Sequence, residues 1–310
     1  MNPRYIIEYQ GIPGMLQNNL NLSKFLLLGL FLFCGSSANA SYKVYEAELS
    51  ESDWQFSGNP LECKLSHQVP QYGDAFFVKT AGKKQALEFK LSYKMQPITA
   101  VKVASIQSLS PSWLPRQRPR DLGSIKILSG NHIFKAADTA SWKLLNELEI
   151  GRFPTFRYQG FESIQDQVAV SLSAVGFKQP YDQFLDCLTS LVPYKLNELT
   201  KMTLRFDFAK HSVKEAYQKK LKALAAYVRF DPKLEVVFIN GYTDSDGSRN
   251  YNYKLSERRI AAVQKMLTLQ GADPARFKTL AFGEKNPAAS NRKASGRALN
   301  RRVYIRVSQQ

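Results

Sequence analysis

Leu234–Asn240 reads LEVVFIN, and Gly241–Asn250 after it reads GYTDSDGSRN. An unbroken apolar run that short, ending on a glycine and a polar loop, predicts a strand of buried type. Beyond the loop the period changes to that of a helix, from about Tyr251 to Gln270, closed by Gly271. Upstream, Asp231-Pro232 ends another helix, Val213–Arg229, whose stripe is Val213, Tyr217, Leu221, Leu224 and Val228. Met202–Phe208 precedes it as a strand. Phe277–Phe282 and Arg302–Val307 add two more, separated by the polar loop Gly283–Ala298. Strand, helix, strand, helix, strand and a final strand describe an α/β two-layer sandwich over residues 199–310.

One residue breaks the pattern. The inner stripe of the second helix reads Leu255, Arg259, Ala262, Val263 and Met266, so a guanidinium stands where an apolar side chain is expected. An unpaired buried charge costs several kcal/mol, so Arg259 needs a partner, and Asp244 or Asp246 in the preceding loop is the nearest in sequence. Two readings stay open. The pair is a structural ion pair, or it forms the two halves of a zwitterion clamp, with Asp244 taking an ammonium and Arg259 a carboxylate.

Residues 41–198 have a different grain. Ala86–Lys94 alternates Leu87, Phe89, Leu91 and Tyr93 with polar neighbours, as half-buried strands do. Ala100–Ile106 and Gln167–Ala174 repeat the alternation. Ser110–Asp121, with Trp113, Arg116, Arg118 and Arg120, reads as an exposed basic loop. Tyr181–Val192 switches to helical spacing through Tyr181, Phe184, Leu185, Leu188 and Leu191. The expectation is an N-terminal mostly-β domain with a closing helix.

The first forty residues set the compartment. Phe25–Phe33 (FLLLGLFLF) follows Lys24 and precedes Ala38-Asn39-Ala40, the layout of a secretory signal peptide cleaved before Ser41. The run is too short for a membrane span. Cys34 lacks the small residue before it that a lipid anchor needs, and Met15 is an alternative start. The mature chain is therefore expected in the periplasm. The whole sequence has 310 residues and a formal charge of +17, and residues 201–310 carry 23 Lys and Arg against 9 Asp and Glu. Such a field suits phosphate- or carboxylate-rich partners. Export argues against nucleic acid.

Cleavage leaves two cysteines, Cys63 and Cys187, in an oxidising space, where an even pair favours one disulfide. Closing a loop of about 125 residues would contribute roughly 4–5 kcal/mol on the chain-entropy model. A Cys–His nucleophile using His67 or His132 is the competing use. Three scattered histidines give no metal cluster, so no cofactor and no metal are expected. Residues 41–198 offer no nucleophile–base pair for a wall hydrolase, and the chain reads as a non-enzyme.

Asn240-Gly241-Tyr242-Thr243-Asp244, Gly247, Tyr251-Asn252, Leu255-Ser256 and Arg258-Arg259 together resemble the peptidoglycan-binding OmpA-like domain. So do Phe282-Gly283-Glu284, Pro287, Gly296-Arg297 and Asn300-Arg301-Arg302. The resemblance implies a grip on the diaminopimelate stem peptide of peptidoglycan. Asp244 would meet its ammonium and Arg259 its carboxylate. The turn at Ala209 and Lys210 would offer backbone N–H groups, and Leu255 and Asn300, with Thr243 beside them, would line the pocket. Tyr242 replaces the usual histidine, and Ala209 replaces an aspartate of lipoprotein members.

Trp54-Gln55-Phe56, Leu61-Glu62-Cys63-Lys64-Leu65, Val69-Pro70, Tyr72-Gly73-Asp74-Ala75 and Phe77 are similar to the front domain of the MotY family of sodium-type flagellar motor proteins. That resemblance implies a T-ring component docked on the flagellar basal body. A MotX-like protein and the stator complex would be its partners. The alternative is a general outer-membrane or periplasmic peptidoglycan anchor whose front part is an eight-stranded β-barrel.

Overall fold

The computed structural model describes residues 42–94, 103–114, 117–159 and 167–309. The signal-peptide reading, Met15, Ser41, Arg116 and the first three residues of the expected strand at 100–106 lie outside them.

The front part is a sandwich of two five-stranded sheets. Its first sheet joins β1 (Tyr42–Tyr45), β6 (Val103–Leu109), β7 (Arg120–Lys126), β9 (Phe153–Gln159) and β10 (Gln167–Ser171). Their spatial order is β1-β10-β9-β6-β7, with β1 and β10 parallel and the other pairs antiparallel. The second sheet is an antiparallel meander of β2 (Trp54–Asn59), β3 (Glu62–Val69), β4 (Gly73–Thr80) and β5 (Glu88–Ser92), closed by β8 (His132–Ala137). Among the described residues neither sheet closes on itself, so the barrel alternative is not the architecture observed.

Alternation sets which side chains face inward. Along β3, Cys63, Leu65, His67 and Val69 are buried while their neighbours are more open. Aromatic contacts join the two sheets. Phe156 of β9 stacks on Phe89 of β5 at 5.5 Å and on Phe134 of β8 at 5.0 Å, and the Tyr72 and Tyr158 hydroxyls meet at 2.9 Å.

Two helices cover this sandwich. α2 (Lys178–Ser190) is the expected closing helix, and it buries Tyr181, Phe184 and Cys187. Cys187 is bonded to Cys63 of β3, with their Cα atoms 5.9 Å apart. The disulfide sits where β2 passes closest. A Cβ on Gly58 would lie 2.6 Å from the Cys187 sulfur, so only glycine fits there. α1 (Thr139–Glu149) was not expected. Its inward residues Ser141, Leu144, Leu145 and Leu148 have helical spacing, but about two turns of repeat inside a strand-rich region are a weak signal. The basic loop is also shorter than expected, because Arg120 already belongs to β7 and pairs with Glu147 of α1 at 3.3 Å.

The rear part matches the two-layer expectation. It runs β11 (Lys201–Arg205), α3 (Glu215–Phe230), β12 (Leu234–Tyr242), α4 (Arg249–Leu269), β13 (Phe277–Gly283), α5 (Ala294–Asn300) and β14 (Arg302–Gln309). The sheet order is β11-β14-β12-β13, which puts the LEVVFIN strand in the interior. β12 is parallel to β13 and antiparallel to β14. The seven-residue α5 interrupts what the sequence presents as one polar loop, Gly283–Ala298.

The two parts share a seam. Ala81 and Val192 belong to the rear core, with Leu61 and Tyr194 packed against it. Backbone bonds from Val192 N to Pro60 O and from Gly82 N to Val192 O, both 2.9 Å, tie the connecting segment to the β2–β3 turn and to the start of the β4–β5 connection.

Candidate functional site

The site lies where β12 ends and α4 begins. β12 and α4 approach so closely that a Cβ on Gly241 would come 2.6 Å from the Ser256 carbonyl oxygen. That contact draws the end of the strand under the helix. Thr243 N–H then donates to Gly283 O at 2.7 Å, and Gly283 N–H donates to Ser256 Oγ at 3.1 Å. Ser248 caps α4 by accepting from Tyr251 N–H. These bonds fix Thr243 and Asp244 in buried positions, 1% and 3% exposed.

Arg259, one turn after Leu255 on the inner face of α4, is wholly buried. Its guanidinium donates to Lys210 O at 3.0 Å, Tyr242 O at 2.8 Å and Asp207 O at 3.3 Å. It also lies 5.2 Å from the Phe206 ring centroid. All its polar partners are carbonyls. Among the described residues no carboxylate comes within ion-pair distance of it.

This corrects the expected pairing. Asp244 accepts instead from Arg301 Nη1 at 2.9 Å, and Asp246 faces Arg297 Nε at 3.3 Å. Both cations arrive from the end of α5 or just after it, more than fifty residues along the chain, and sequence proximity favoured the wrong partner. Burial pushes the Arg259 pKa down to about 10. The nearby Asp244 charge pulls it up in part and Arg301 opposes that. Arg259 therefore stays charged at neutral pH, with its charge balanced only by dipoles and by an aspartate already engaged elsewhere. Three of five guanidinium N–H groups are accounted for, which leaves two.

The remaining expected residues divide. Ala209 sits in the turn after β11 at φ 56°, a left-handed conformation that alanine adopts at a cost. The Lys210 N–H is already given to Asp207 O at 3.2 Å, which leaves the Phe208 and Ala209 N–H groups of the turn without a partner among the described residues. An exposed ion pair between Asp207 and Lys214, 2.6 Å, helps hold the turn. Leu255, one turn before Arg259 on α4, is buried. The Thr243 hydroxyl is buried and has no partner among the described residues. Asn300 is buried, but its amide is engaged in folding the neighbouring loop. It accepts from Ala289 N at 3.0 Å and donates to Ala289 O at 2.7 Å and Asn291 Oδ1 at 2.8 Å. Its place is structural support for the site.

Sequence reading gave Arg301 no role, although it bridges Asp244 and Phe206 O. The doubled arginine opening the last strand is the signal that could have found it. Tyr242, in the histidine position, stacks on Phe282 at 4.9 Å under the Arg302 guanidinium, which is a packing role.

Residues 45–193 match the family model of the MotY N-terminal domain, and residues 205–301 match that of the OmpA family. The chain is 32% identical over 289 residues to the sodium-type flagellar protein MotY of Vibrio parahaemolyticus, covering 92% of this chain and 98% of that one. The chain belongs to the MotY family. Its rear part is also similar to outer membrane protein A of Bordetella avium, 45% identical over 102 residues, which cover 33% of this MotY-family chain and 52% of that protein. A peptidoglycan-associated lipoprotein of known structure from Burkholderia pseudomallei is 31% identical with a TM-score of 0.33, covering 34% of this chain and 89% of that one.

Proposed function

We propose that this chain is a non-catalytic component of the flagellar motor that anchors to peptidoglycan. After cleavage near Ala40 the mature protein works in the periplasm. Its front domain, 41–198, docks on the flagellar basal body as part of a T-ring-type assembly with a MotX-like partner. Its rear domain, 199–310, grips the wall, and together they hold the stator complex around the rotor. Likeness to the Vibrio protein over nearly the whole chain supports the motor assignment.

The observation that carries the wall-binding half is Arg259, a buried cation with no carboxylate within ion-pair distance among the described residues. A ligand carboxylate reaching its two remaining N–H groups would supply the missing charge in a low-dielectric site, where such a bond is strong. The Ala209 N–H stands at the same turn to assist. Asp244 offers the opposite pole to the ammonium of a diaminopimelate stem peptide, in competition with Arg301. Thr243 adds an unused hydroxyl, Leu255 an apolar floor, and the Lys210 carbonyl holds the guanidinium in place. One such contact is weak, but many copies in a ring multiply the hold on a continuous mesh.

The test is sedimentation of the full mature chain with purified sacculi. Arg259→Met and Asp244→Ala should each reduce the bound fraction, Arg259→Met by roughly 30-fold in affinity. Sedimentation equal to wild type in both variants would refute the clamp.

A further inference from the structure

The loop between β6 and β7 is held by a buried arginine. Arg152, 4% exposed, donates to Ser108 Oγ (2.8 Å), Ser108 O (2.7 Å), Ser110 Oγ (3.0 Å), Gln117 Oε1 (2.8 Å) and Arg118 O (3.1 Å). Glu147 of α1 neutralises it at 3.3 Å and also accepts from Ser108 Oγ at 2.6 Å. Both stems of the loop are thus fastened to one guanidinium. The loop presents Trp113, 51% exposed, and Leu114, 45% exposed. Trp113 meets Phe153 of the domain body edge-on, with ring centroids 5.8 Å apart. Beside it Leu49 is 59% exposed. Trp113, Phe153 and Leu49 line an open concavity of about 420 Å³ whose rim carries Glu46 and Glu48.

A solvated loop gains nothing from an exposed tryptophan held in one place. A binding surface does, because a rigid aromatic anchor loses little entropy on association. We propose that this concavity is a docking site for a protein segment that presents one apolar side chain flanked by Lys or Arg. Charge selects that occupant. The rim is acidic in a chain of net charge +17, so it repels acidic partners and anionic membranes and attracts a basic segment. The inference rests on the reading that the front domain docks on the basal body and names the surface that does so.

The test is co-sedimentation of the full mature chain with detergent-purified basal bodies, alongside sacculus pelleting and thermal melting. Trp113→Ala and Glu48→Lys are each expected to lower basal-body binding by about tenfold or more, with sacculus binding and melting temperature unchanged. Added salt should weaken the wild type and affect Glu48→Lys less. Wild-type binding in both variants overturns the site while leaving the docking reading intact. If Trp113→Ala proves misfolded, Glu48→Lys alone decides. A wild-type chain that does not sediment with basal bodies overturns the docking reading, and the site with it. Loss of pelleting with phosphatidylglycerol–phosphatidylethanolamine vesicles in Trp113→Ala, with basal-body binding retained, would reassign the surface to a membrane and overturn the protein occupant.

Discussion

Each part of the molecule buries an arginine, and the two are balanced differently. Arg152 in the front has five hydrogen bonds and a carboxylate, Glu147, against it. Arg259 in the rear has three carbonyls and no carboxylate. The first is complete within the chain and holds a loop in shape. The second has no carboxylate in contact with it among the described residues, which is the condition expected of a group that takes its counter-charge from a ligand. Burial alone does not distinguish structural from binding arginines. The charge balance around them does.

That contrast can be broken by stability measurements. Arg152→Met leaves the partly buried Glu147 with only the more exposed Arg120 as its cation and frees five acceptors, so it should destabilise the front domain by about 3–5 kcal/mol in denaturant unfolding. Arg259→Met keeps the side-chain volume and removes a charge that has no carboxylate in contact with it among the described residues, so its cost should be clearly smaller. An equal or larger loss for Arg259→Met would make it a structural arginine and end the comparison.

The disulfide belongs to the front as well. Reducing it, or replacing Cys187 with serine, should cost about 2–5 kcal/mol and lower the exported level, read by melting with and without reductant. Rear-domain binding to sacculi should survive, because Cys63 and Cys187 lie outside the rear core.

The smallest expected effect is a pH dependence confined to the front. His67 is buried, stacked on Trp54 at 4.7 Å, with Nδ1 3.0 Å from Asp53 O and Nε2 without a partner among the described residues. Burial lowers its pKa, with Asp53 opposing in part. The unfolded chain then binds the proton that the folded one refuses. Stability is full above the ordinary histidine pKa of about 6.5 and falls as pH drops through it toward the folded value. Wild type should lose more stability than His67→Gln between about pH 7 and pH 5. Parallel curves would show that His67 is not the group responsible.

The two parts were also unequally legible in the sequence. In the rear, one buried strand and one charged residue inside an apolar helical stripe located the sandwich and its odd residue, because period and polarity are local properties. The partner of Asp244 was not legible. Arg301 lies 57 residues away, and only the sheet order brings β14 beside β12. Asn300 stood in the right motif but its amide is used by Ala289 and Asn291, a commitment that depends on the loop's three-dimensional path. In the front, alternation showed strands and a closing helix. It hid α1, whose short repeat is outweighed by its surroundings, and it hid Arg152, a lone arginine between Gly151 and Phe153. The arginines of the 110–121 loop drew attention by composition. The residue that organises that loop lies outside it.

The central claim is that Arg259 takes its missing carboxylate from the cell wall. Its most direct test is calorimetric titration of a diaminopimelate-containing stem peptide into the full mature chain and into Arg259→Met. Measurable binding by the wild type and none by a folded Arg259→Met chain is the predicted result. Equal affinity in the two would show that the wall, if bound at all, is held elsewhere.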